Sequence, residues 1–401
     1  MVKNLAGVAL VLIGATAAWF ILGQTLVVRT QASDSVQRDQ LAAEWGSEQR
    51  QIAPTFWLAT APLAGQTALA PASSRIDVDL ALDPRQKGLL WYNTYGVAFT
   101  ARYRVANPGA GARVHMDFSF PSARATYDDV TLVVDGKRIP VTSASGVITA
   151  PLPPRNGRPW DVLVRYRSHG IGTWTYCFGD GVVSVHDFVM NMHTNFRAID
   201  FPPKTLSPTT KETTPDGGWR LTWQYQDLVG GSGVGMAFPQ RLQPGPLAER
   251  ITFWAPLSLL FYLFVMLVIT TLRRIELHPV NYFFLAAAFF AFHLLFAYTV
   301  DRIPVGWAFV ICSVVSMFLT VSYLRLVVGL RFAAVEAALA QCFYLILFSY
   351  ALFDEGYSGL SITIGAIVTL FVTMQVTGRI DWSERFGGKR AAPAAASSSP
   401  S

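Results

Sequence analysis

Residues 251–282 read ITFWAPLSLLFYLFVMLVITTLRRIELHPVNY, and this stretch decides the fold. Its first 22 residues carry no charged side chain. At about 1.5 Å rise per residue they cross a ~30 Å hydrocarbon layer as a helix. Arg273 and Arg274 end the run, and a second apolar run opens at Tyr282. Toward the C-terminus the pattern repeats over residues 282–299, 304–324, 332–353 and 358–377, with short connections. Toward the N-terminus a single further run covers residues 5–26, and more than two hundred polar, β-rich residues lie between it and the rest. The N-terminal run is longer than a signal-peptide core, and no small-x-small cleavage site follows it closely, so it reads as an uncleaved anchor.

This spacing predicts an α+β membrane protein. Its parts are an N-terminal transmembrane anchor helix (residues 1–28), a helical stalk (29–52), an extracytoplasmic antiparallel β-sandwich-like domain (53–248) and a C-terminal five-helix transmembrane bundle (249–380). Residues 381–401, only Ala, Pro and Ser from Ala391 onward, read as a disordered cytoplasmic tail.

Charge sets the expected orientation. With both termini in the cytoplasm, the short inner segments hold nine basic residues: Lys3, Arg273, Arg274, Arg325, Arg331, Arg379, Arg385, Lys389 and Arg390. The short outer loops hold one, Arg302, beside Asp301, Asp354 and Glu355. That is a strong positive-inside bias. It predicts a six-helix, multi-pass protein of the bacterial inner membrane with a periplasmic β-domain.

The pI near 9.3 raises nucleic-acid binding, which charge placement rejects. Residues 29–250 hold 22 Lys/Arg against 19 Asp/Glu, and the remaining basic excess sits mostly at helix ends. Of the three cysteines only Cys177 falls in the outer segment, so no disulfide is expected within it.

Residues 29–51 are polar, lack proline and have no glycine before Gly46, which predicts the stalk; Val36, Leu41 and Trp45 give it a thin apolar stripe. An Ala/Pro/Ser-rich loop is expected over 62–74. Alternating or aromatic runs at 76–82, 91–105, 114–120, 130–134, 137–141, 161–166, 172–178, 182–192 and 219–225 predict strands. Asp135-Gly136 between two of them signals a type I′ hairpin, and Val130, Leu132 and Val134 are expected core residues.

Certain short runs are recognisable. Glu276-Leu277-His278-Pro279-Val280-Asn281-Tyr282, after the double Arg, resembles the helix entry of the CreD-like family of bacterial inner-membrane proteins, linked with colicin tolerance and cell-envelope integrity. Thr377-Gly378-Arg379-Ile380-Asp381-Trp382 resembles that family's C-terminal motif, and Glu355-Gly356-Tyr357 its acidic-x-Tyr outer turn. Trp45-Gly46, Gln49, Ile52 and Pro54 resemble its segment before the soluble domain, and Arg85-Gln86-Lys87-Gly88 a turn between strands. The resemblance spans the architecture and is specific in the last ~130 residues. It implies an envelope-integrity or stress role and no reaction.

Candidate chemistry is sparse. His186, Met190, Met192 and His193 suggest a copper site, but strand periodicity puts His193 on the opposite face and makes the Met pair a core face, so no metal and no cofactor is expected. Cys177 lies in an aromatic strand with no Lys or Arg nearby in sequence and reads as buried and inert. The glycine-dense run 230–235 reads as a flexible connection. No nucleophile elbow, P-loop or zinc-protease motif is present, so the chain is expected not to be an enzyme. Two intramembrane polar residues stand out by default, His293 and Glu336. His293 is expected to bond to a neighbouring helix, and Glu336 to pair with Arg331. Six residues at the bundle ends, Glu276, His278, Tyr282, Arg379, Asp381 and Trp382, are candidates for a structural clamp.

The functional expectation is a non-enzymatic inner-membrane protein whose outward β-domain binds an unidentified envelope protein or ligand. Its bundle, solvated by the lipid bilayer, anchors that domain or relays its state. A transporter or channel subunit using polar groups of the bundle is the alternative, and an extracytoplasmic hydrolase a third reading.

Overall fold

A computed structural model describes residues 2–58, 67–109, 112–155, 157–179, 181, 183–239, 241–354 and 356–378. The chain forms two compact units, Met1–Ala32 with Leu242–Ser401, and Ser33–Arg241.

The first unit holds the apolar helices. Six helices among the described residues are long and apolar enough to cross a membrane. They are α1 (Val2–Trp45), α2 (Pro244–Leu272), α3 (Pro279–Thr299), α4 (Val305–Val327), α5 (Phe332–Phe353) and α6 (Ser358–Thr377). Prolines open α2 and α3, where a missing N–H costs nothing. Arg273 and Arg274 stop α2; Arg274 takes φ 54° and turns the chain back toward α3. The fifth span is irregular, unlike the uniform helix its sequence predicts. It is π-helical over Phe332–Ala337 and Cys342–Leu347, with a 3₁₀ turn at Ala351–Phe353.

α1 is one uninterrupted helix of 44 residues. It stops at Trp45 because Gly46 takes φ +84°, the left-handed conformation that ends helices. The expected stalk is therefore shorter than residues 29–52: Gln49–Ile52 is already a strand.

The second unit is built of β-sheets. The largest has eight strands in the order Lys137–Ile139, Tyr127–Val134, Trp160–Ile171, Thr94–Val105, Pro71–Leu82, Val183–Thr194, Trp219–Gly230, Thr210–Thr213. A five-stranded sheet runs Ser143–Ala144, Val147–Pro151, Val114–Ser119, Thr55–Leu58, Thr67–Leu69. A third places Thr173–Cys177 between Gln49–Ile52 and Val234–Ala237. Apolar residues at alternate positions face one shared core: Val78, Phe99, Val164 and Met190 from the large sheet, Phe56, Met116 and Phe118 from the second, Trp174 and Met236 from the third.

Several expectations change. The sheets are not purely antiparallel. Pro71–Leu82 pairs parallel to Val183–Thr194, and Gln49–Ile52 parallel to Thr173–Cys177. Each parallel pair is joined by a chain excursion of about a hundred residues or more, far beyond a hairpin. Of the expected loop over 62–74, Thr67–Leu69 is a strand and residues 71–74 open the strand Pro71–Leu82, while residues 59–66 lie outside the described ones. The long run 91–105 is two strands, Leu90–Tyr92 and Thr94–Val105, and Leu90–Tyr92 folds back on Arg85–Lys87 through Gly88 at φ +56°. The Asp135-Gly136 hairpin forms as expected: both residues have positive φ (51° and 78°) and Val134 faces Lys137. Leu132 and Val134 are buried, and Val130 is partly buried against the same core. It stands beside a bulge opposite Arg165–Arg167, where Asp129 takes φ 51°.

The glycine-dense run is a packing device rather than a flexible connection. Val234–Ala237 is a strand, with Val234 and Met236 fully buried. A Cβ on Gly233 would lie 2.5 Å from the Tyr176 carbonyl oxygen, and one on Gly235 2.6 Å from that of Trp174. Glycine lets these backbones meet.

Candidate functional site

Polar side chains collect at two places, one in each unit.

In the helical unit they form a seam. Gln341 lies between the two π-helical segments of α5 and is fully buried. Its Nε2 donates to Ser316 Oγ on α4 at 2.8 Å, and Ser316 Oγ donates to the Ala288 carbonyl of α3 at 2.6 Å. On the other side of α5, Ser258 of α2 donates to the Tyr344 carbonyl, and the Tyr344 hydroxyl donates to Thr369 Oγ1 of α6 at 2.9 Å. π-Helical turns disturb the regular backbone ladder and recur at functional sites. Here Ser258 gives a carbonyl in such a turn an extra partner. Among the described residues, three buried oxygens of this unit, Gln341 Oε1, Thr320 Oγ1 and the Tyr262 hydroxyl, have no hydrogen-bond partner. In hydrocarbon each such group is costly. None of these residues stands out in sequence, because Ser, Thr, Gln and Tyr are ordinary in membrane helices and only packing brings them together.

The two intramembrane candidates do not meet as one site. His293 is buried, but its Nδ1 bonds to the Phe289 carbonyl of its own helix at 3.2 Å, not to a neighbouring helix as expected. The neighbour it meets is Trp19 of α1, edge-on, with 5.4 Å between ring centroids. Glu336 pairs with Arg273, not Arg331: Nη2 and Oε1 are 2.5 Å apart, joining the start of α5 to the end of α2. At the other end of the bundle, Arg29 reaches Asp301 at 3.3 Å, donates to the Ala297 carbonyl at 3.1 Å, and lies 4.9 Å over the Tyr298 ring.

Of the clamp candidates, Arg379, Asp381 and Trp382 lie outside the described residues. Tyr282 is buried with its hydroxyl 3.1 Å from Thr270 Oγ1, which ties α3 to α2. His278 is the N-cap of α3, its Nδ1 accepting the Val280 N–H at 3.3 Å. Glu276 is exposed.

In the β unit, the end of α1 leads into a polar latch. Gln49 and Gln51 are buried, at 1% and 0% exposure. Gln49 Nε2 donates to Ser168 Oγ (2.9 Å) and the His169 carbonyl (2.7 Å). Gln51 Nε2 donates to the Ser119 carbonyl (3.1 Å), and Gln51 Oε1 accepts from the Tyr166 hydroxyl (2.8 Å). Burial pushes the Tyr166 phenol well above its ordinary value, so it stays a donor at any physiological pH. Just before the latch, Trp45 stands edge-on to His169 at 5.2 Å, with the Arg85 guanidinium 4.0 Å over its ring. Gly46 is required here: a Cβ would lie 2.9 Å from the His169 carbonyl oxygen. Tyr92 donates to Asp34 at 3.0 Å.

Cys177 also differs from expectation. It is half-buried, and Arg50 Nε donates to its sulfur at 3.0 Å, a neighbour supplied by the parallel strand pair. His186 pairs with Asp227 at 2.6 Å on the surface, while Met190 and Met192 are buried in the core, so these residues do not converge.

No curated protein matches the chain. Two solved structures show weak likeness. A putative nutrient binding protein from Legionella pneumophila aligns with a TM-score of 0.32 and 9% identity, covering 54% of this chain and 76% of that one. An M1 zinc metallopeptidase from Deinococcus radiodurans aligns with a TM-score of 0.25 and 10% identity, covering 71% of this chain and 96% of that one. The family model described as inner membrane protein CreD matches residues 222–383, about two fifths of the chain. The match holds all of α2 to α6, the Glu276–Tyr282 run and the Thr377–Trp382 run; the stalk and Arg85–Gly88 motifs fall outside it. Over its membrane bundle, the chain is therefore CreD-like, similar to a family of inner-membrane proteins.

Proposed function

We propose that this chain is a non-enzymatic inner-membrane protein whose β-domain faces outward and binds an envelope partner or ligand, while the bundle anchors that domain or relays its state. The observation that carries the reading is α1. One unbroken helix supplies the first apolar span and runs on to the buried Gln49–Gln51 latch of the β-domain.

Orientation rests on charge and on parity. The nine-to-one basic bias supports placing both termini inside. Independently, Arg29–Asp301 puts the end of the first span and the α3–α4 turn on one face, and Arg273–Glu336 puts the α2 exit and α5 entry on one face. Both fit six alternating spans. Single cysteines at positions 354 and 273, in a chain freed of Cys177, Cys312 and Cys342, test this with a membrane-impermeant thiol reagent on intact cells. Position 354 should label and position 273 should not; the reverse overturns the layout. For binding, photo-crosslinkers at exposed β-domain positions in intact cells should yield a discrete adduct that disappears when the latch is broken. Adducts to this chain alone would sink the partner reading.

The buried seam around Gln341 favours a second reading, a transporter or channel subunit. Proteoliposomes separate the two: an ion or proton flux lost in Gln341→Leu supports transport, and no flux above protein-free vesicles removes it.

A further inference from the structure

The solvent-side face of the eight-stranded sheet gathers arginines from three adjacent strands. Arg102 and Arg104 lie on Thr94–Val105, two positions apart and so on one face, ~6.8 Å along the strand. Arg75, on Pro71–Leu82, stands directly opposite Arg102. Arg165, on Trp160–Ile171, stands opposite Thr100 and so diagonal to Arg102. All four are exposed, while the alternate positions between them, such as Ile76 and Tyr103, are buried in the core. Arg75 is neutralised by Asp187, with its Nη2 2.7 Å from each carboxylate oxygen. The ion pairs among the described residues include none of Arg102, Arg104 and Arg165. Asp161 is opposite Arg104 in register without pairing to it, and Asp77, diagonal to Arg102, accepts the Asn191 amide at 3.0 Å.

Like charges placed opposite one another destabilise a sheet. The fold thus holds three unpaired cations together at a cost that an incoming anion would relieve. Guanidinium forks match carboxylates two bonds at a time. An extended polypeptide repeats its side chains on one face every ~6.8 Å, the same interval that separates Arg102 from Arg104. Beside the arginines the face is apolar: Leu163 is opposite Arg102, and Val133 is opposite Leu163 on the next strand, both half-buried. An apolar side chain next to acidic ones can pack there. A phosphate polymer offers nothing to that part of the face.

We propose that this sheet face docks an acidic, extended segment of a partner polypeptide, with carboxylates on Arg102, Arg104 and Arg165 and an apolar side chain against Leu163. This rests on the reading of the β-domain as a binding domain and names the chemistry of its partner.

The test uses the full-length protein in an uncharged detergent. The probe is a fluorescent twelve-residue peptide with Glu at every second position except for one central Leu on the same face; its control carries Gln in place of Glu. The Glu peptide should bind saturably at low ionic strength, weaken as salt is raised, and outbind the Gln peptide. Arg102→Gln and Arg165→Gln should each weaken binding roughly two- to fivefold, as for exposed ion pairs. The triple variant with Arg104→Gln should abolish it. Arg220→Gln, an exposed arginine of the same sheet outside the cluster, should bind as wild type. The thermal midpoint of Arg102→Gln should hold or rise, because a repulsion with Arg75 is removed. No saturable binding, equal binding of the Gln peptide, or binding that survives the triple variant would overturn the proposal. Polyphosphate that binds more tightly than the Glu peptide, with Leu163→Ser weakening neither, would assign the face to a phosphate polymer instead. The photo-crosslinked adduct in intact cells separates this proposal from the reading beneath it. An adduct that persists in the triple variant leaves the β-domain a binding domain that uses another face. The absence of any adduct removes both.

Discussion

The Tyr166 hydroxyl and Gln51 Oε1 are 2.8 Å apart in a place where neither side chain has any exposed surface. A residue six positions past the end of a helix that begins as a membrane span is thereby held in the core of the β-domain. Replacing Gln51 with Leu leaves a buried phenol without an acceptor. The expected cost is about 1–3 kcal/mol, read as a drop in the thermal midpoint of the full-length protein in detergent. Adding Tyr166→Phe should recover a good part of it. If the double variant is no more stable than Gln51→Leu alone, the hydrogen bond is not what holds the latch.

Tyrosine burial gives the β-domain an alkaline limit. The Tyr127 hydroxyl donates to the Ser122 carbonyl (2.8 Å) and accepts the Ser122 N–H (2.9 Å), and burial pushes its pKa up to about 12 from the ordinary 10. The folded state therefore holds this proton more tightly than the unfolded chain. The stability it contributes is complete below pH 10 and is lost as pH rises from 10 to 12. Denaturation midpoints should be flat from pH 7 to about 9.5 and then fall, and Tyr127→Phe should make the fall shallower. An unchanged slope in that variant would assign the limit to the other buried tyrosines.

Arg273 and Glu336 form a one-sided dependence. Glu336 is mostly covered and its second oxygen, Oε2, has no partner among the described residues, while Arg273 is largely exposed. Arg273→Gln strands a carboxylate at the membrane edge and should destabilise by about 1–3 kcal/mol. Glu336→Gln, which leaves an exposed arginine, should cost less. Adding Glu336→Gln to Arg273→Gln should restore stability toward wild type, measured by thermal unfolding in one detergent. Equal losses in both single variants would contradict this asymmetry.

Two motif residues inside the matched segment invite a crosslink. His278 caps α3, and Asp381 follows the end of α6 in sequence. A clamp between the two ends predicts that cysteines at 278 and 381 form an intramolecular disulfide under mild oxidation. Reactive thiols that fail to join in an intact protein would leave Trp382 and Arg379 as interfacial anchors alone.

Much of this architecture is legible in the chain because its signals are local. A run such as 251–272 needs no partner to read as a span, and Asp135-Gly136 needs only its two flanking strands. What escaped was set by neighbours distant in sequence. Glu336 finds Arg273, 63 positions away, where Arg331 is nearer along the chain. Cys177 finds Arg50, 127 positions away, through a parallel strand pair that periodicity cannot announce. The glycines at 233 and 235 look like slack until the carbonyls of Tyr176 and Trp174 are placed against them. The Gln341 seam is the extreme case: its residues are common types, and only helix packing makes them a group.

The three-stranded sheet has a consequence for biogenesis. Its middle strand, Thr173–Cys177, is flanked by Gln49–Ile52 from the start of the β-domain and by Val234–Ala237 from its end. As the chain emerges, the segment after α1 waits for more than a hundred residues before its partner strand exists. Trp174 and Tyr176 then stay open along one edge until Val234 and Met236 arrive, just before α2. The domain closes like a clasp, at the moment the membrane bundle begins to be made. A released chain ending between residues 177 and 234 would hold an unfinished sheet with an open aromatic edge, the species that quality-control proteases and chaperones would meet first.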